Sequence, residues 1–184
     1  MVNAMSDRKV VLVGMMGSGK SSAGRRLAKA LNIDFIDLDQ SIEARSGRSI
    51  RDIFSSGGEA EFRDLEEAEL RRTLDEPGAA VIAAGGGIVV RAAARDLLAR
   101  AHDVIWLRAD VDVLAERVSR GRGHRPLVDG DPKVRLGALL EEREDHYRSV
   151  ATAVVEVDDC SLEDVVKRIE SLVSTTSDRG VVES

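Results

Sequence analysis

Residues Gly14-Met15-Met16-Gly17-Ser18-Gly19-Lys20-Ser21 follow an apolar run, Val10-Val11-Leu12-Val13, and precede a helix-like segment from Ser22 to Leu31. Strand, glycine loop and helix in that order form a phosphate-binding unit. Glycines let successive backbone N–H groups turn inward and cradle phosphate oxygens, and the helix start behind them adds its positive dipole end. Gly17, Ser18, Gly19 and Ser22 complete the cradle, Lys20 reaches the β- and γ-phosphates, and the Ser21 hydroxyl is placed for magnesium. The alternative is a glycine turn at a helix start with no ligand. A nucleoside triphosphate is the natural occupant; ATP is the general expectation, because no residue is seen to read the base.

Four further apolar stretches follow: Ile33 to Leu38, Ala79 to Ala84, Val104 to Leu107 and Val154 to Val157. Each has the length of a strand, and helix-like segments lie between them. That alternation predicts an α/β fold, a parallel sheet covered by helices on both faces. Helices are expected over 22–31, 59–74, 90–100, 111–118, 132–147 and 161–173. Asp131-Pro132 and Ser161-Leu162-Glu163-Asp164 serve as start signals. Two segments break the alternation: 41–56, a long excursion after the second strand, and the basic glycine-rich link around 120–130.

A chain of 184 residues fits one domain. We expect a flexible start over 1–8, a single domain over 9–173 and a flexible tail over 174–184. A net charge of −6 argues against a nucleic-acid partner. Cys160 is the single cysteine, so no internal disulfide or cysteine metal cluster is possible. No stretch approaches a membrane span and no secretory signal is visible. The expectation is a cytoplasmic monomer.

Asp37 and Asp39 close the second apolar stretch. Two residues apart in an extended chain, both would project from the sheet end, where open α/β sheets bind ligands. Asp37 is assigned to the metal, beside Ser21, and Asp39 to the hydroxyl that attacks the phosphoryl group. The alternative is a helix cap or a solvated pair. Arg143 and Arg117 occupy positions in apolar helical stripes. A buried arginine needs an anion, and a substrate carboxylate or phosphate would supply one with parallel hydrogen bonds; a snorkelling or internally paired side chain is the alternative. Arg63 lies in a charged helix, four residues after a possible partner, Glu59. Gly85-Gly86-Gly87 would expose backbone to a ligand or simply make a tight turn. In the basic link, Arg125, fixed by Pro126, is favoured over Arg120 and Arg122 as a closing cation on the transferred phosphoryl group.

With the phosphate loop, Phe35-Ile36-Asp37-Leu38-Asp39, Gly47-Arg48-Ser49-Ile50, Ile53-Phe54, Gly58-Glu59-Ala60-Glu61-Phe62-Arg63, Gly85-Gly86-Gly87 and Arg125-Pro126-Leu127 in place, the chain closely resembles the shikimate kinases from about Lys9 to Ile169. The resemblance implies the nucleoside monophosphate kinase fold, three layers around a five-stranded parallel sheet in order 2-3-1-4-5. It implies transfer of the ATP γ-phosphoryl to the 3-hydroxyl of shikimate, a phosphotransferase reaction with an alcohol acceptor on the route to chorismate and the aromatic amino acids.

It further implies a substrate region about 37–64 and a lid about 120–130. Lys20 would hold the phosphates, Ser21 and Asp37 would hold Mg2+, and Asp39 would hold shikimate hydroxyls. Arg63 and Arg143 would bind the carboxylate, with Gly85, Gly86 and Gly87 around it, and Arg125 would act as the lid arginine. Arg117 and the loop near Asp158 would flank the adenine. Acidic residues at Glu144-Asp145-His146 depart from the family pattern. Rival readings are a gluconate or nucleoside monophosphate kinase of the same fold, or a nucleotide switch, which would need the loop but not the arginines.

Overall fold

Runs of Val, Leu and Ile become strands where both faces of a sheet are covered. In the computed structural model, which describes residues 7–120 and 131–177, β1 (Lys9–Val13) is buried along its whole length. It lies at the centre of a five-stranded parallel sheet with β2 (Asp34–Asp37), β3 (Ala80–Ala83), β4 (Asp103–Arg108) and β5 (Ala153–Glu156), in the order β2-β3-β1-β4-β5. Val11 is in register with Ile82 on one side and Val104 on the other. Trp106 of β4, 1% exposed, is a core residue as its strand position implies.

The order places the site. α1 (Lys20–Leu31) leads from β1 toward β2, and α4 (Ala92–Leu98) leads from β3 toward β4, in opposite directions across the sheet. Right-handed crossovers running opposite ways put the two helices on opposite faces. The chain therefore diverges after two adjacent strands, β1 and β3. The crevice outside their carboxyl ends is where such sheets take ligands. The loop 14–19 and the glycine triplet are the segments that leave those two ends.

The excursion after β2 is helical. α2 (Leu38–Ser46) is capped by Asp37, whose carboxylate accepts from the Gln40 N–H. α3 (Ile50–Asp75) starts at Ser49, whose hydroxyl accepts from the Asp52 N–H. Gly58, at φ 71° and ψ −170°, breaks α3, and the helix expected from Glu59 is its second piece. The two helices enclose a small apolar cluster of Ile42, Ile53 and Phe62, separate from the main core. α5 (Val111–Arg120) packs on α6 (Pro132–Val150), and α7 (Leu162–Ser177) packs on α1.

Three expectations change. Asp7 and Arg8 are not loose: the Asp7 carboxylate accepts from the Gly78 N–H, and Arg8, 5% exposed, is ion-paired to buried Asp103 at 2.8 Å. α7 continues four residues into the stretch expected to fray. The acidic run at 144–146 leaves α6 regular to Val150, because Glu144 pairs with Arg108 and Arg148 on the surface. Of the lid expected over about 120–130, residues 121–130, with Arg122 and Arg125, lie outside the described residues. Arg120 is described, and pairs with Glu116 along α5.

Candidate active site

The loop after β1 folds as a cradle because its glycines take conformations closed to other residues. Gly19 caps α1 at φ 93°, in the left-handed region. Gly14 sits at φ 142°, and a Cβ there would meet the Leu107 carbonyl at 2.5 Å. The Lys20 ammonium donates to the Gly14 and Met15 carbonyls at 2.8 and 2.9 Å, folded over the loop that would hold phosphate. Ser18 is buried and its hydroxyl has no partner among the described residues.

At the start of α1, the Ser21 hydroxyl donates to the Asp37 carboxylate at 2.7 Å. This is the pairing expected of two oxygens that share a cation. The path to it differs from the sequence expectation. Asp37 ends β2, but Asp39 does not continue the strand; it lies in the first turn of α2. Strand alternation therefore does not align the two carboxylates. The helix turn carries Asp39 inward, where Oδ1 is buried with no partner among the described residues. Burial raises the pKa of Asp39, with the charge of Asp37 adding to it and Lys20 opposing.

Across the crevice, Arg63 is 6% exposed. Its guanidinium donates to Glu66 at 2.6 Å and to Glu59 at 3.0 Å, so the expected Glu59 pairing is present, joined by a stronger, buried one. Glu66, 1% exposed, keeps Oε1 without a partner among the described residues. Burial pushes its pKa up to about 6 against the opposing charge of Arg63, with Asp39 raising it and Arg143 lowering it. Sequence reasoning missed Glu66. The signal was there: Glu66 falls on the buried face of α3 with Phe62 and Leu70, where a carboxylate needs a reason.

Arg143, in the apolar stripe of α6, is 4% exposed; its Nη1 donates to the Gly86 carbonyl at 3.3 Å, and its Nε has no partner among the described residues. Two buried arginines thus converge on the glycine triplet. A Cβ on Gly85 would collide with Glu66 Oε1, and one on Gly87 with all three outer atoms of the Arg63 guanidinium. On Gly86 it would sit 3.3 Å from the Met16 nitrogen. None of the three has a positive φ. The triplet is needed for room: it lets the arginine–glutamate pair and the phosphate loop close on one another.

A cavity of about 450 Å³ joins these parts. It runs from the phosphate loop, with Gly17, Gly19, Lys20, Ser21 and Ser22, past Asp37 and Asp39 to Arg63, Glu66, the glycine triplet and Arg143. Phe54 and Phe62, with ring centroids 4.8 Å apart, line the acceptor end. Arg117 lines the cavity too, with one nitrogen on the Val157 carbonyl at 2.9 Å. That bond ties α5 to the loop of Asp158, but Asp158 itself accepts from the Asp110 N–H and does not line the cavity.

A cation-lined phosphate loop at one end and two buried arginines at the other suit a nucleotide and a small carboxylic acid. Comparisons with known proteins identify the family. The family model for shikimate kinase matches residues 16–174. A shikimate kinase of Paramagnetospirillum magneticum is 43% identical over 168 residues, covering 91% of this chain and 85% of that protein. One of Caulobacter vibrioides is 48% identical over 151 residues, 82% of this chain and 74% of that protein. Among solved structures, the shikimate kinase of Acinetobacter baumannii in complex with shikimate superposes with a TM-score of 0.87 at 34% identity, over 93% of this chain and 95% of that one. A gluconokinase of Sinorhizobium meliloti, at 22% identity and a TM-score of 0.57, shares the fold alone. Sheet order, paired arginines and these matches over most of its length agree: the chain belongs to the shikimate kinase family.

Proposed function

We propose that the chain transfers the γ-phosphoryl group of ATP to the 3-hydroxyl of shikimate, giving shikimate 3-phosphate and ADP, with the residues above in the following roles. The observation that carries the reading is the junction, in one cavity, of Lys20 and Ser21 with the buried Arg63–Arg143 pair. The first two address a triphosphate; the second two address a carboxylate.

The loop N–H groups and Lys20 hold the β- and γ-phosphates and stabilise charge that develops on the moving group. Arg117, with the loop around Asp158, flanks the base. Arg63 and Arg143 fix the shikimate carboxylate, and Asp39 takes its hydroxyls. Asp39, whose pKa is raised first by burial, is suited to accept the proton of the attacking hydroxyl. Arg125, in the family's lid position, is proposed as the cation over the transferred group.

The donor set fits magnesium. Ser21 and Asp37 present hard oxygens 2.7 Å apart. Among the described residues no group of three or more His, Cys, Asp or Glu is placed to hold a metal, which suits an ion held by one or two protein oxygens together with phosphates and water. When bound, magnesium would neutralise phosphate charge.

Among the described residues no helix is long and apolar enough to cross a membrane. We take the enzyme as a cytoplasmic monomer, since residues of one chain line both the donor and acceptor ends of the cavity. The functional test is an acceptor panel. Purified enzyme with ATP and magnesium is offered shikimate, gluconate and nucleoside monophosphates, and product mass is recorded. Phosphorylation of shikimate alone is expected; phosphorylation of gluconate or a nucleotide in its place would overturn the assignment.

A further inference from the structure

Tyr147 is fully buried one turn beyond Arg143 on α6, so the two side chains share a face. Its ring stacks on Trp106 of β4, centroids 5.5 Å apart and planes within 19°. Its hydroxyl donates to the Gly86 carbonyl, with the Met15 sulfur 3.6 Å away. Arg143 Nη1 donates to that same carbonyl at 3.3 Å. One carbonyl oxygen, with its two acceptor sites, therefore accepts from both Tyr147 and Arg143. On its other side, Gly86 is pressed against the phosphate loop, where a Cβ would lie 3.3 Å from the Met16 nitrogen.

The geometry points to Tyr147 as a positioning residue: its hydroxyl occupies an acceptor site of the Gly86 carbonyl and leaves the Arg143 guanidinium weakly tethered and free to receive the substrate carboxylate. The inference rests on the shikimate reading and gives it a part that touches no substrate. Burial raises the tyrosine pKa, so the hydroxyl remains a donor across the working range. Without it, the carbonyl has an open acceptor site in a buried place. The nearest donor is Arg143, which is drawn onto the backbone and away from the cavity. The cost falls on the acceptor and not on ATP, whose loop contacts are unchanged.

Tyr147→Phe keeps the ring and its stack on Trp106 and removes only the hydroxyl. It is expected to raise KM for shikimate about 3- to 10-fold, the size of one hydrogen bond, with KM for ATP and kcat changed less than about twofold. In an Arg143→Ala background the same change should add less than about twofold, because Tyr147 acts through Arg143. A rise in both KM values together, no rise in a folded variant, or a full-sized effect without Arg143 would each overturn the inference.

A second measurement needs no variant. Tyr147 is the only tyrosine of the chain, so growth on 3-fluorotyrosine labels this position alone. Shikimate should shift the single fluorine resonance and ATP should not; a resonance indifferent to shikimate would also overturn it. If the unmodified enzyme phosphorylates no shikimate, the functional reading itself fails, and this inference with it.

Discussion

Replacing Gly87 by alanine should act on shikimate through a side chain that the new methyl displaces. The added Cβ would overlap the Arg63 guanidinium at its carbon and both terminal nitrogens. Arg63 cannot step aside cheaply. It is 6% exposed, held by Glu66 at 2.6 Å and Glu59 at 3.0 Å, and backed by the Phe62 ring at 5.3 Å. Moving it off the triplet costs its charge-assisted bond to the substrate carboxylate, about 1.5–3 kcal/mol. That is a rise of roughly 10- to 150-fold in KM for shikimate, at about 1.4 kcal/mol per tenfold. Overpacking should also lower stability by about 1–3 kcal/mol, and KM for ATP should hold. Steady-state kinetics with each substrate varied, beside a urea titration, reads all three. Gly137→Ala is the matched control: the nearest atom to its Cβ would be a Val111 methyl at 3.9 Å, and helix propensity favours alanine by up to about 1 kcal/mol. A folded Gly87→Ala enzyme with unchanged KM for shikimate would refute the claim that the triplet exists to make room for Arg63.

Other perturbations separate the remaining roles. Lys20→Ala should lower kcat roughly 10²- to 10³-fold, as for loss of one preorganised donor to a transition state, and leave shikimate affinity intact by calorimetry; a drop confined to KM would contradict its role in transfer. Ser21→Ala should raise the magnesium concentration for half-maximal rate. Losing an outer-shell partner alone costs about tenfold, so a smaller effect would move the metal elsewhere. Glu66 titrates from an ordinary 4.5 up to about 6 in the fold. Between those values the native state holds more protons than the unfolded one. Its stabilising share is therefore present below about pH 4.5 and lost as pH rises through about 6. Wild type should lose roughly 2 kcal/mol against Glu66→Gln between about pH 4 and 7.5, at about 1.36 kcal/mol per pKa unit. Parallel stability curves for the two proteins would contradict the buried-carboxylate account.

What the sequence made legible follows from how local each feature is. The phosphate loop is contiguous and bounded by a strand and a helix, so its chemistry is readable from spacing alone. Arg143 is readable because an arginine breaks an apolar stripe on a long helix, and its burial follows. Asp37 and Asp39 both line the cavity, but not by strand alternation, since the chain turns into α2 at Leu38 and Asp39 enters from a helix. The helical character of 41–56 was hidden by its composition: serines, arginines and a glycine mask the buried face of Ile42 and Ile53, which closes on Phe62 when α2 meets α3.

Long-range contacts account for the rest. Arg8 meets Asp103 across the sheet, and nothing near either residue announces the other. The glycine triplet reads as exposed backbone until the guanidinium of Arg63 and the carboxylate of Glu66 are seen occupying the space that side chains would fill. Tyr147 looks like core until its hydroxyl is seen to share a carbonyl with Arg143.

The central claim is that the arginine end and the phosphate end of one cavity hold a hydroxy acid in a single orientation. Product regiochemistry tests it most directly. Shikimate turned over with ATP and magnesium should give one product whose phosphorus couples to the hydrogen on carbon 3 in a phosphorus–proton correlation spectrum. Phosphate on carbon 4 or 5, or a mixture of positions, would contradict the account.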